Sequence, residues 1–225
     1  MKKRILPLSF SLIAGAALLA GGTAHAQFNL KRLGIGGGGN AATAAAPSSG
    51  GVTQLLQSYV GANQQVLSGQ SSLASAMGMS SAAGQAQQAA GLLSGGVPSA
   101  GTLSQVGSTQ QSLSQTLTQA FSGGGASSAT PVNKQAFTDG LTSLGKGVSQ
   151  YSSLQSGLGS VGQMNPSSLL QSGLNPQTAQ AASYVAQSAP GQLQSLMSTL
   201  SAAVQFASSH GITVPSIATG ALKGM

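Results

Sequence analysis

The sequence feature that most constrains the fold lies between Thr130 and Val161, where apolar residues recur with the period of an α-helix. The residues that share this face are Val132, Phe137, Leu141, Leu144, Val148, Tyr151, Leu154 and Leu158. Steps of three and four residues place such side chains on one stripe of a helix, and the stripe must be buried against another element. Thr130 suits an N-cap, and Pro131 suits the first helical turn, where its missing N–H is not needed. The pattern therefore predicts a long helix that starts near Pro131 and packs in a core.

The same period recurs along the rest of the chain. It predicts helices over 52–77, 81–93, 100–121, 166–172, 176–188 and 193–207, with Pro190 and Gly191 separating the last two. Residues 212–225 are short and contain proline and glycine, so we expect a loop there. Because no segment alternates with period two, the sequence predicts an all-α fold: a single helical bundle of five to seven helices over residues 52–225.

One predicted helix carries a polar residue in its apolar seam. Over 100–121 the inward positions step by three and four, as in a heptad repeat: Leu103, Val106, Gln110, Leu113, Leu117 and Ala120. Gln110 is the polar member of this series. The flanking positions are Ser, Thr and Gln rather than charged, which favours a bundle helix over a coiled coil.

The N-terminal residues predict export. Residues 1–4 are basic after Met1, residues 5–22 are apolar, and Ala24-His25-Ala26 matches the small-residue motif of a cleaved signal peptide. We expect a signal peptide over 1–26, cleaved after Ala26, and a flexible Gly/Ala/Ser-rich tail over 27–51. An uncleaved membrane anchor is the alternative, but polar residues and a proline interrupt the apolar run. The protein is therefore expected in the periplasm or outside the cell.

Few side chains in this chain can perform chemistry. Asp139 is the only carboxylate side chain, there is no cysteine, and His210 is the only histidine beyond the predicted signal peptide. Three-ligand metal sites and paired-carboxylate mechanisms need more such residues than the chain has. A Ser-His-Asp triad would have to use Asp139 and His210. The sequence predicts that the protein is not an enzyme and holds neither a metal nor a cofactor.

Two kinds of motif resemble functional signatures but lack their context. Gly-x-Gly-x-x-Gly occurs at 34–39 and at 157–162, yet neither follows a predicted strand nor has an acidic residue about 20 positions later. Ser143 and Lys146 form a Ser-x-x-Lys pair, but the other elements of the serine acyl-enzymes are absent. We therefore predict no catalytic, cofactor-binding or metal-binding residue.

The high isoelectric point, near 10.3, reflects missing acids rather than a basic patch. Three of the eight basic residues lie in the predicted signal peptide, and Lys31 and Arg32 lie in the predicted tail. Nucleic-acid binding needs several clustered cations, so we do not expect it. Tyr59, Tyr151 and Tyr184 fall on or beside apolar stripes, which favours core packing, although a ligand-binding platform stays open.

These observations favour a binding or assembly function in the bacterial cell envelope. The expected partner is a protein or another envelope component of unknown identity, and self-association is open. One alternative is a membrane-active helical protein, which the lack of Lys and Arg on the polar faces disfavours. Another is an extracellular matrix or fibril component, because low-charge segments rich in Ser and Gln can stack.

Overall fold

A computed structural model of the chain describes residues 49–123, 132–164 and 166–224, with only the backbone of Ser156 and Pro166. The described residues form seven helices: α1 (Ser49–Ala76), α2 (Ser80–Gly91), α3 (Ala100–Phe121), α4 (Lys134–Gly162), α5 (Pro166–Gln171), α6 (Pro176–Ser209) and α7 (Ser216–Lys223). No β-strand occurs in these ranges, so the all-α prediction is confirmed. The predicted signal peptide and residues 27–48 of the predicted tail lie outside the described residues.

Two helices start elsewhere than predicted. Helix α1 begins at Ser49, so the last three residues assigned to the tail are helical. Helix α4 begins at Lys134, where the Asn133 side-chain oxygen accepts a hydrogen bond from the N–H of Ala136 at 3.1 Å. Asn133 therefore caps α4 in the position where Thr130 was expected, while Thr130 and Pro131 lie outside the described residues.

The predicted break at Pro190 is wrong, because α6 runs without interruption from Pro176 to Ser209. A proline inside a helix removes one hydrogen bond and crowds the preceding turn, at a cost of about 3 kcal/mol. The turns on both sides of Pro190 bury the same apolar face, which includes Val185, Ala189, Leu193 and Leu196. We attribute the continuity of α6 to this shared burial, which outweighs the local cost.

The loop predicted for the C-terminal residues is also wrong in part, because Ser216–Lys223 form α7. This helix buries two small residues, Ala218 and Ala221, and packs against α4. At Gly145 of α4, an added Cβ would lie 2.9 Å from the Cα of Ala218. The helix thus depends on a tertiary contact between small residues, which its own short sequence does not reveal.

The four long helices α1, α3, α4 and α6 surround the core. Gly69 of α1 lies against Leu144 of α4, and Val66 against Gly147, so α1 and α4 are antiparallel. Helix α6 is antiparallel to α4, because Phe137 contacts Phe206 and Tyr151 is hydrogen-bonded to Gln192. Helix α3 is parallel to α6, because Phe121 contacts Phe206 and Gly107 lies against Gln192. Helices α1, α3 and α6 therefore run in one direction and α4 in the other.

On the solvent-facing sides of the helices, many hydroxyl groups are hydrogen-bonded to the backbone of their own helix. Many Ser and Thr side chains donate to the carbonyl oxygen four residues earlier, as Thr109 does to Gln105 at 3.0 Å and Thr116 does to Ser112 at 2.9 Å. These hydrogen bonds satisfy the hydroxyl groups of Ser and Thr at positions in the middle of a helix, where these residues are otherwise unfavourable. Among the described residues, no helix combines the length and the apolar character needed to cross a membrane.

Candidate functional site: a polar cleft between α3 and α6

A layer of polar side chains crosses the otherwise apolar core. Its members come from all four long helices: Tyr59, Asn63 and Gln70 from α1, Gln110 and Ser114 from α3, Tyr151 from α4 and Gln192 from α6. Six of the seven are buried and Gln192 is half-buried. Buried polar groups cost free energy unless they are paired, so the hydrogen bonds of this layer decide whether it stabilises the fold.

The two buried tyrosines converge on Gln192. The Tyr59 hydroxyl donates to Gln192 Oε1 at 2.6 Å, and the Tyr151 hydroxyl lies 2.9 Å from the same oxygen and 2.8 Å from Asn63 Oδ1. Because one hydroxyl proton serves one acceptor at a time, the consistent arrangement has Tyr59 donating to Gln192 and Tyr151 donating to Asn63. The rings meet edge to face, with centroids 5.3 Å apart.

Burial changes the acid–base behaviour of both phenols. Removal from water raises the pKa of Tyr151 well above its ordinary value of 10.0, and neighbouring Tyr59 raises it further. Burial likewise raises the pKa of Tyr59, although hydrogen bonds from its neighbours act in the opposite direction. Both phenols therefore stay protonated at neutral pH and serve as neutral hydrogen-bond donors.

The layer is incompletely paired next to α3. Gln70 Nε2 donates to Ser114 Oγ at 2.9 Å and to the Gln110 carbonyl oxygen at 3.2 Å, which leaves Gln70 Oε1 without a partner. Gln110 is only 2% exposed, and neither atom of its amide makes a hydrogen bond of ordinary geometry. Its amide nevertheless lies close to the Tyr151 phenol and acts to lower that phenol's pKa, against the larger effect of burial. A buried, unpaired amide of this kind requires a physical explanation.

Gln110 lines a cleft of about 380 Å³ between α3 and α6. The residues around it are Gly107, Ser108, Gln111, Ser114, Tyr184, Gln187, Ser188, Gly191, Gln192, Ser195 and Leu196. Ser188 is a second cleft residue with a buried atom that lacks a partner, its hydroxyl oxygen. No charged side chain is among these lining residues, so the cleft offers only neutral donors and acceptors. Its volume falls within the usual range for small-molecule sites.

Gly107 determines how close two of these polar groups come to α3. A Cβ added at Gly107 would lie 2.8 Å from Gln192 Nε2 and 2.9 Å from the Tyr184 hydroxyl oxygen. Because Gly107 has no side chain, the amide end of Gln192 and the hydroxyl group of Tyr184 can both lie directly against the α3 backbone. Through Gln192, the cleft is connected to the buried tyrosine pair.

The other residues singled out by the sequence lie away from this cleft. Asp139 is exposed and accepts a hydrogen bond from Gln135 Nε2 at 3.1 Å. His210 ends α6, where its ring stacks on Phe206 with centroids 3.9 Å apart. Ser143 is half-buried and Lys146 is exposed on α4. None of these four lines the cleft.

Of the two glycine motifs, the one at 157–162 lies inside α4, and its Gly157 packs against Leu55. A glycine string inside a helix cannot form the strand-to-helix turn of a dinucleotide site. The motif at 34–39 lies outside the described residues. In the described part of the chain, no group of three or more His, Cys, Asp and Glu side chains could hold a metal ion.

The sequence pattern indicated Gln110 and all three tyrosines, but Asn63, Gln70, Ser114 and Gln192 were not predicted. Leu56, Asn63, Gln70 and Met77 are seven residues apart, so the two amides fall on the buried stripe of α1. That heptad spacing could have identified both. Gln192 gave no such signal, because it was expected directly after a helix break at Pro190 and Gly191.

Comparisons of this chain with protein-family models, with curated proteins and with solved structures find no match.

Proposed function

We propose that this chain is an exported, non-enzymatic binding protein of the bacterial cell envelope, and that the cleft between α3 and α6 holds its ligand. On this proposal, a single helical domain over 52–225 follows a cleaved signal peptide and a flexible tail. The observation that carries the proposal is the Gln110 amide, which is 2% exposed, unpaired and part of the cleft lining.

The cost of the Gln110 amide supports a functional role. Leaving a buried amide unpaired costs about 1–3 kcal/mol, whereas an apolar side chain of similar shape would avoid that cost. Proteins tolerate such costs where a binding site requires them. A ligand that pairs both amide atoms would recover this free energy when it binds.

The neutral lining supports binding rather than catalysis. General acid–base catalysis uses groups whose pKa lies near the working pH. The only titratable groups in or beside this cleft are tyrosines, and burial raises the pKa of Tyr59 and Tyr151. Asp139 and His210, the side chains that could perform such chemistry, are not among the lining residues.

Binding can be tested with a library of charged and neutral small molecules and the mature protein. A ligand that binds only the folded state raises the thermal unfolding midpoint. We expect compounds that stabilise the wild type and the Gln115→Met variant but not Gln110→Met. Gln115 is exposed on the same helix and does not line the cleft, so it is a matched control. Failure to find such a compound, or chemical conversion of one that binds, would contradict the proposal.

Export is tested separately by intact mass. The protein recovered from the periplasm or the medium should begin at Gln27. A recovered species that still carries Met1 would show that the predicted cleavage is wrong.

A further inference from the structure

We propose that the ligand of the α3–α6 cleft is a neutral sugar; this inference rests on the binding function proposed above. The Ser and Tyr hydroxyls and the Gln amides around the cleft are each able both to donate and to accept hydrogen bonds. A matching ligand carries several groups that also do both, and hydroxyl groups are the simplest of these.

Because none of the residues that line the cleft is charged, a neutral ligand is favoured over a charged one. Transferring an ionised group into a partly enclosed site without an opposite charge is strongly unfavourable. Small peptides carry charged termini, and nucleotides and organic acids carry anionic groups. Sugars combine small size, neutrality and many hydroxyl groups, so they fit a neutral cleft of about 380 Å³.

The unpaired polar atoms of the residues around the cleft also favour a neutral sugar as the ligand. The amide of Gln110 carries a donor, Nε2, and an acceptor, Oε1, which are buried and make no hydrogen bond, so a ligand pairs with them only when this side chain turns toward the cleft. Two hydroxyl groups on adjacent ring carbons can satisfy such an amide at the same time, one by accepting and the other by donating. The Ser188 hydroxyl can pair with a further ligand group. Leu196 and the Tyr184 ring provide apolar surface for the C–H groups of a sugar ring.

The tyrosines of this protein provide a direct readout. The chain has three tyrosines and no tryptophan, so its intrinsic fluorescence comes from Tyr59, Tyr151 and Tyr184. Tyr184 lines the cleft. The hydroxyl groups of Tyr59 and Tyr151 both lie within hydrogen-bond distance of Gln192, which also lines the cleft. A ligand in the cleft should therefore change most of the emission of the whole protein.

The experiment titrates the mature protein with neutral sugars and with their charged counterparts while tyrosine emission is recorded. The neutral set contains glucose, galactose, mannose, N-acetylglucosamine, maltose and cellobiose, and the charged set contains glucuronate and glucosamine. We expect saturable binding of at least one neutral sugar, with glucuronate and glucosamine bound at least tenfold more weakly. The inference is overturned if no sugar changes the emission or if charged sugars bind as tightly as neutral ones.

Two variants locate the binding. Gln110→Met should weaken sugar binding at least tenfold, because it removes the amide donor and acceptor that the sugar would pair with. Gly107→Ala should weaken it too, because the new Cβ displaces Gln192 Nε2 and the Tyr184 hydroxyl while leaving the α3 backbone intact. Gly101→Ala on the same helix is the control, since its Cβ would meet only Ser99 Oγ, at 3.7 Å. Sugar binding that survives both Gln110→Met and Gly107→Ala would place the sugar elsewhere and refute the inference.

The outcome also separates this inference from the proposed function. If charged or non-sugar compounds bind in a Gln110-dependent way and sugars do not, the sugar assignment fails while the binding function stands. If neither the library nor the sugars give Gln110-dependent binding, both proposals fail.

Discussion

Gly69 and Leu144 lie so close that a Cβ added at Gly69 would be 2.6 Å from the backbone nitrogen of Leu144 and 2.9 Å from its Cα. The contact is between the backbones of α1 and α4, so a flexible side chain cannot relieve it. Gly140 and Gly147 of α4 make comparable approaches to Leu73 and Val66. Small residues at these positions allow the two helices to pack at short range, which is how a chain with few large apolar residues builds a dense core.

The first prediction compares two glycines of α1. Gly69→Ala should destabilise the protein by about 1–3 kcal/mol, because overpacking against a backbone outweighs the gain in helix propensity. Gly61→Ala should stabilise it by about 0.5–1 kcal/mol, because a Cβ there meets nothing within 4 Å. Chemical denaturation of both variants measures the two changes. Equal effects of the two substitutions would show that α1 and α4 are not packed this closely.

The second prediction concerns the tyrosine pair. Tyr151→Phe should leave Asn63 Oδ1 buried without its donor, at a cost of about 1–3 kcal/mol. Tyr59→Phe should cost less, about 0.5–1.5 kcal/mol, because the acceptor that loses its donor, Gln192 Oε1, belongs to a half-buried side chain. The free energies of unfolding of the two variants and of the double variant test this order. A larger loss for Tyr59→Phe would contradict the assigned hydrogen bonds.

The third prediction is alkaline sensitivity. The unfolded chain releases its phenolic protons near pH 10, whereas burial holds the pKa of Tyr59 and Tyr151 above that value in the folded state. Above pH 10 the folded state therefore binds more protons than the unfolded state, and stability falls as pH rises. The free energy of unfolding should fall by about 1.4 kcal/mol per pH unit for each phenol that stays protonated in the folded state.

Phenolate absorbance and chemical denaturation between pH 9 and pH 12 measure this effect. The absorbance change of the two buried tyrosines should coincide with unfolding, and Tyr151→Phe should reduce the slope of stability against pH. Early titration of all three tyrosines in the folded protein would show that Tyr59 and Tyr151 are not buried.

The fourth prediction is tolerance of acid. Acid denaturation mostly follows from the protonation of carboxylates that are paired in the native state. This chain has a single acidic side chain, Asp139, which is exposed and hydrogen-bonded to Gln135. We expect the thermal midpoint at pH 3 to lie within about 10 °C of that at pH 7, as for a domain that loses little native-state pairing. A larger fall would show that protonation removes an interaction on which the fold depends.

The sequence by itself determined that the folded part is helical and which apolar faces of its helices are buried. The apolar stripe of α4 and the seam of α3 could be read directly, because helical period and burial are local consequences of side-chain spacing. All six seam residues of α3, Gln110 among them, are buried. The near absence of titratable side chains likewise follows from the sequence alone.

Only the tertiary structure decided where helices continue and which polar groups meet. Pro190 stays inside α6 and residues 216–223 become helical because burial against other helices outweighs local preference, which no local pattern records. The pairing of Tyr59, Asn63, Tyr151 and Gln192 joins residues up to 133 positions apart. Such contacts depend on how the helices pack against one another, and so does the cleft that Gln110 lines.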